Sequence, residues 1–305
     1  MNGSTSTDNL CFERTSLTIK LSLTLAYAVL ILASLLGNSL LLAVVRRDRT
    51  TKRTIIYFIQ NMAMADLLIT IVYMPRMVTV VLRGYQWLLD GAIGLALCVL
   101  VPLCHHAAIL VSIQTLVIIS VERFLAIVYP LKRNVTTKQA RYLVALTWFV
   151  SIAVRIPRSV ALRLKHRETS GGRTFCATMF SSVYDNAVVV RRIYYETLLY
   201  LFYVVPVISI VAVNLVIIFT LRRRKLPGHW TSKEQKRKEQ INRKIFRMLL
   251  TITCLFIVCW LLYFIVLLIP NPKFKCEIGF ARFFCRSYKF RHYPVCVLLL
   301  QILLS

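Results

Sequence analysis

The chain has 305 residues, of which 58% are hydrophobic and only 17% charged, and its mean hydropathy is +0.67. Soluble domains run to roughly 25% charged and 45–50% apolar residues, so an ordinary soluble protein is excluded, and the same hydrophobicity excludes disorder over most of the length. The formal charge is +27, but the basic residues fall in short runs between long apolar segments, as in loops that flank membrane spans and meet anionic headgroups, not as in a nucleic-acid-binding domain.

A helix needs about 20 apolar residues to cross a bilayer. Residues 21–45 carry no charge and predict the first span. Residues 54–75, interrupted only by Asp66, predict the second, and the uncharged stretch 91–121 the third. The fourth, 142–154, is short because Arg155 and Arg158 follow it. Residues 197–221 and 248–272 predict the fifth and sixth. The final apolar stretch, 293–305, is too short to cross as a helix. The expected fold is therefore an all-α integral membrane bundle of six clear transmembrane helices plus a short C-terminal apolar stub. It divides into a tail over 1–20, a membrane domain over 21–272, and a basic, cysteine-rich segment over 273–305. The first apolar run is too long for a secretory signal and no small-residue cleavage site follows it, so it is expected to remain as span one.

Lys and Arg near the span ends set the orientation. With the N-terminus outside, the inner loops carry Arg46, Arg47, Arg49, Lys52 and Arg53, then Lys132, Arg133, Lys138 and Arg141, then a dense basic run from Arg222 to Arg247. The outer side is basic as well, through Arg163, Lys165, Arg167 and Arg173 and again over 273–291. Asn2-Gly3-Ser4 is a glycosylation sequon and agrees with N-outside. Asn134-Val135-Thr136 falls inside and reads as chance.

Polar residues within spans are costly and mark function. The first span holds Gly37-Asn38 and the second holds Asn61 and Asp66. The third ends in Ser120-Val121-Glu122-Arg123-Phe124, followed by Tyr129-Pro130-Leu131. The fourth has Trp148, the fifth Pro206, and the sixth Phe256-Ile257-Val258-Cys259-Trp260. In this order over residues 25–270, the set resembles the rhodopsin-like (class A) G-protein-coupled receptors. That resemblance implies a multi-pass plasma-membrane receptor, not an enzyme, with its N-terminus outside. Such a receptor binds an extracellular ligand and activates heterotrimeric G proteins through the inner ends of helices 3, 5 and 6.

The resemblance also assigns roles. Asn38, Asp66 and Ser112 match the family's sodium-binding cluster, and sodium is the one ion the sequence suggests. A buried carboxylate needs a cation or a proton, so the other reading is a protonated, hydrogen-bonded Asp66 with no ion. Glu122, Arg123 and Phe124 match the acid–base element that faces the G protein, with Tyr129 and Pro130 behind it. The plainer reading is an interfacial ion pair that snorkels to headgroups. Pro206, Phe256, Cys259 and Trp260 match the activation switch. Cys98 and Cys176 match the family's disulfide, which suits an oxidising compartment.

Trp260, Tyr263, Phe264 and Leu267 recur at i, i+3, i+4 and i+7, so they share one helix face. They suit either a packed stripe or the floor of a ligand pocket completed by His105, His106, Ile109 and Arg158. His105 stands where amine receptors of this family carry an Asp, which argues against an amine. His105 and His106 either engage a peptide or are merely hydrated at the mouth of the bundle. Arg155 and Arg158, three apart, either receive an anionic group or snorkel outward. The long basic outer loop resembles that of peptide receptors.

Three features depart from the family. Leu262 replaces the usual proline after Trp260, Asn214 stands where many members have Tyr, and no Asn-Pro-x-x-Tyr follows the sixth span. These predict an incomplete seventh helix, and leave a signalling-dead receptor fragment as the alternative function. Enzyme and transporter readings find no Gly-x-Ser-x-Gly, no spaced metal pair and no inverted repeat.

Overall fold

The computed structural model describes residues 17–47, 53–129, 135–167 and 173–223, with the single positions 251 and 254. The predicted sixth span, the tail that bears Asn2, and residues 273–305 with the question of a seventh helix lie outside the described residues, apart from those two positions.

Helix α1, Leu17–Arg47, forms the first span. Tyr27, Ser34 and Asn38 are its buried residues, while Leu25, Leu32, Leu36 and Leu40 are more than half exposed. One narrow stripe thus meets protein, and the rest is a leucine surface fit for lipid.

The second span is α2, Arg53–Val72, continued by α3, Met74–Arg83. Pro75 lacks an N–H and crowds the preceding turn, which accounts for the break at Tyr73. The helical direction survives, since Tyr73 N–H donates to Ile69 O and Met77 N–H to Tyr73 O. The span runs eight residues past its predicted end. Arg76 does not stop it, because its guanidinium donates to Gln86 O and Tyr85 O and lies 4.7 Å over the Trp87 ring. Met74, Met77 and Val81 meanwhile pack with Tyr27 of α1.

Helix α4, Gly91–Val128, is the central span. Every residue from His105 to Ile113 is buried, so neighbours surround the helix on all sides. It extends beyond the predicted 121 because Glu122 and Arg123 pair with each other.

Helix α5, Thr137–Ser159, starts at a capping box in which Thr136 and Gln139 exchange hydrogen bonds. It runs five residues past the predicted fourth span, through Arg155 and Pro157.

Strands β1, Leu162–Arg167, and β2, Arg173–Thr178, form an antiparallel hairpin with Leu164 opposite Cys176. The all-helical expectation did not include this hairpin. It is pinned twice. Cys176 is bonded to Cys98 of α4, with Cα atoms 5.6 Å apart, and Trp87 N–H donates to Thr174 O at 2.7 Å.

The fifth span is α6, Ala187–Leu199, a π turn over Tyr200–Val204, and α7, Val205–Arg223. Val205 N–H reaches back to Tyr200 O, five residues earlier. The wide turn sits directly before Pro206, which cannot donate to a helical carbonyl.

Five helical spans are thus described, each long and apolar enough to cross a membrane.

Candidate functional site

Three polar groups lie at different depths of the bundle. The deepest links the first two spans. Asn38 Nδ2 donates to Ser34 O at 3.0 Å and to Ser34 Oγ at 3.2 Å. Ser34 Oγ lies 2.7 Å from Thr70 Oγ1, and Thr70 Oγ1 donates to Asp66 O at 2.7 Å. Each hydroxyl carries one proton, so the donors run in one direction, from Asn38 through Ser34 and Thr70 to the Asp66 carbonyl. Asp66 itself is 1% exposed. Asn38 Oδ1 and Ser112 Oγ are buried with no hydrogen-bond partner among the described residues. A carboxylate, an amide oxygen and a hydroxyl are oxygen donors of the kind a hard cation takes.

Beside this group, Asn61 ties three spans together. Its Nδ2 donates to Thr115 Oγ1 at 2.9 Å, and its Oδ1 accepts from Trp148 Nε1 at 2.8 Å. Asn61 and Trp148 were each visible as polar groups in apolar runs. Their pairing was not, because 87 residues separate them.

At one end of α4, Arg123 Nε donates to Glu122 Oε2 at 2.6 Å. The two residues are 1% and 3% exposed, so this is a buried pair and not a headgroup-facing one. Phe124 packs with Ile127, Val213, Ile217 and Ile218, which joins the pair's turn to α7. Tyr129 caps the helix, its N–H donating to Leu125 O, and its ring meets Phe124 edge-on at 6.0 Å. Pro130 lies outside the described residues.

The third group lies at the disulfide end. His105 is buried and stacks on Tyr73, with ring centroids 3.5 Å apart. Both its ring nitrogens lack a partner among the described residues. His106 faces the other way, towards α5. Arg158 Nη1 lies 3.1 Å from His106 Nε2, and His106 Nδ1 lies 2.6 Å from Pro102 O. Arg158 Nη1 also lies 3.3 Å from His106 Nδ1; a guanidinium only donates and a carbonyl only accepts, so the shorter two contacts suit an uncharged ring with its proton on Nδ1. Arg155, 4% exposed, donates from Nη2 to the Tyr203 hydroxyl at 3.1 Å. Burial replaces the outward snorkelling that its place near a helix end suggested.

The structure therefore brings His105, His106 and Arg158 together and adds Arg155, Tyr73 and Tyr203. It places Ile109 among Ala65, Ile69 and Tyr203 as a packing residue. Pro206 sits just after the π turn that presents Tyr203. The remaining candidates, Phe256, Cys259, Trp260, Tyr263, Phe264 and Leu267, lie outside the described residues. Tyr203 had no signal in the sequence beyond its position three residues before Pro206.

Comparison with known proteins follows the same outline. The family described as 7 transmembrane receptor (rhodopsin family) matches residues 37–297, and so continues past the sixth predicted span. The RYamide receptor of Tribolium castaneum is 26% identical over 257 residues, covering 79% of this chain and 66% of its own length. Neuropeptide receptor 22 of Caenorhabditis elegans is 29% identical, covering 90% of this chain and 63% of its own length. Neuropeptide FF receptor 2 of Mus musculus is 28% identical, covering 77% of this chain and 57% of its own length. The chain thus spans between about half and two thirds of the length of these relatives. The family match, the order of helices and the Cys98–Cys176 bridge agree, and the chain belongs to the rhodopsin family of seven-transmembrane receptors.

Proposed function

We propose that this chain is a plasma-membrane receptor, N-terminus outside, that binds an extracellular peptide and activates a heterotrimeric G protein. The peptide is argued from relatives named for neuropeptides and from the basic hairpin held over the bundle end. The observation that carries the signalling half is the buried Glu122–Arg123 pair. A carboxylate next in sequence holds the guanidinium inside the helix bundle, where its donors are not available to a partner. Parting the inner ends of helices 3, 5 and 6 turns Arg123 outward, and Phe124, Tyr129 and Pro130 shape the surface it enters.

Asn38, Asp66 and Ser112 hold a sodium ion in the resting state, and the ion supplies the positive charge that a buried carboxylate requires. Pro206, Phe256, Cys259 and Trp260 relay ligand binding to the inner ends. The family resemblance assigns Tyr263, Phe264 and Leu267 to the ligand pocket together with His105, His106 and Arg158. Ile109 backs the histidines from the core.

The test uses the full chain in mammalian cells, tagged at the N-terminus, with membranes assayed for nucleotide exchange on added G protein. An N-terminal tag stained without permeabilisation, and exchange above that of empty membranes once Glu122 is replaced by Gln, are expected. A surface-exposed chain that never drives exchange supports the signalling-dead alternative.

A further inference from the structure

We infer that the ligand carries an anionic oxygen group, carboxylate or the like, and that Arg155 and Arg158 receive it at the disulfide end of the bundle. The inference rests on the receptor reading above and names the chemistry of its ligand.

The two arginines stand three residues apart on α5, so they occupy one face within a single turn. Both present buried, unpaired atoms: the Nε of Arg155 and the Nε of Arg158 have no hydrogen-bond partner among the described residues. Their partners are neutral. Arg155 has the Tyr203 hydroxyl, and Arg158 has the His106 ring in its uncharged form. The ion pairs among the described residues are Arg123 with Glu122 and Arg192 with Glu196, and neither involves these two. The predicted sixth span, 248–272, contains no Asp or Glu either.

A guanidinium keeps its proton at any ordinary pH, so burial does not neutralise it as it would a lysine or a carboxylate. Arg155 is buried and Arg158 partly so, and adjacent like charges drawn from water are costly unless an anion completes them. The fork of Arg matches an oxyanion through two parallel N–H bonds. His105, buried with both ring nitrogens unpaired, supplies a further donor or acceptor next to the pair. At the entrance, Arg163 and Lys165 are exposed on β1. Cations at a mouth raise the local concentration of an acidic ligand. An amidated peptide without acidic residues brings no charge to this site and leaves both arginines without a counter-ion among the described residues.

The test uses the purified full chain in lipid nanodiscs and three tetrapeptide pools. One is amidated and free of Asp and Glu. The second has the same sequences with a free C-terminal carboxylate. The third is amidated with one Asp or Glu. Thermal unfolding reports binding, and nucleotide exchange on added G protein is read from the same samples. Charge-assisted bonds predict half-saturation at about tenfold lower concentration for the second or third pool than for the first, and whichever of the two wins locates the anion at the C-terminus or on a side chain. Arg155→Gln and Arg158→Gln are each expected to reduce that preference to about threefold or less, and Arg158→Lys to keep roughly half of it, because the charge stays while the fork is lost. Equal stabilisation by the neutral pool, a preference that survives both Gln variants, or no stabilisation by any pool overturns the inference. The wild-type comparison of acid with amide needs no variant to fold. Exchange driven by the neutral pool alone refutes the anion site but keeps the receptor. Arginine-dependent binding of the acidic pools without exchange keeps the site and refutes the signalling reading.

Discussion

The indole of Trp148 donates to Asn61 Oδ1 at 2.8 Å, and Asn61 Nδ2 in turn donates to Thr115. One amide thus holds the second, third and fourth spans in a fixed relation. Removing either end of the Trp148 bond leaves a buried polar atom unpaired. Trp148→Phe and Asn61→Leu are each expected to cost about 1 kcal/mol, as interhelical bonds in membranes do. The double variant should lose less than the sum, because the two share one bond. Unfolding of the four proteins in detergent checks this, and strict additivity would contradict it.

The disulfide closes 78 residues of chain and holds β2 against α4. Replacing Cys98 and Cys176 by Ser is expected to lower stability by up to about 4 kcal/mol on the loop-closure argument. The loss should concentrate at the hairpin. Hydrogen exchange over residues 162–178 should speed up, while α4 around Leu110 stays protected. Unchanged exchange in the hairpin would show that the Trp87–Thr174 bond suffices without the bridge.

Sodium should stabilise the protein relative to choline at equal ionic strength, because it completes the oxygens of Asp66, Asn38 and Ser112. Asp66→Asn removes the carboxylate and should abolish the difference while leaving the Ser34–Thr70 chain, which ends on the Asp66 main-chain carbonyl, in place. Thermal unfolding in the two salts decides it. A sodium effect that persists in Asp66→Asn places the ion elsewhere.

Buried charges without a counterion are a stability cost that function can justify. Arg158→Met is therefore expected to leave the ligand-free protein as stable as wild type or more so, by up to about 1 kcal/mol, even as it weakens acidic ligands. A large loss of stability without ligand would mean that Arg158 is a structural residue held by His106.

Much of this fold was legible as uncharged length. The C-terminal ends of the first and third spans fall two and seven residues past those predicted, because long uncharged runs leave little ambiguity. The errors share one cause. Charge predicts the end of a span, yet Arg76 and Arg155 lie inside helices because Trp87, Gln86 and Tyr203 receive them. Those partners come from other segments, and no local pattern announces them. The hairpin had a local signature, Leu162 and Leu164 alternating with Arg163 and Lys165, but it is only six residues per strand and leans on Cys98 and Trp87 for support. Of the candidate site, Asn38, Asp66, His105, His106 and Arg158 could be named from the sequence by residue type and span. Which of them meet was the missing part, as with Arg155 and Tyr203, or Asn61 and Trp148.

On the proposed function, Glu122 restrains Arg123 and Arg123 drives the G protein. This is tested most directly by nucleotide exchange in membranes that hold equal surface amounts of wild type, Glu122→Gln, Arg123→Ala and the double variant. Raised ligand-free exchange is expected in Glu122→Gln, and baseline exchange in both proteins that lack Arg123. Exchange in the double variant equal to that of Glu122→Gln would contradict it, because the released activity would then not pass through Arg123.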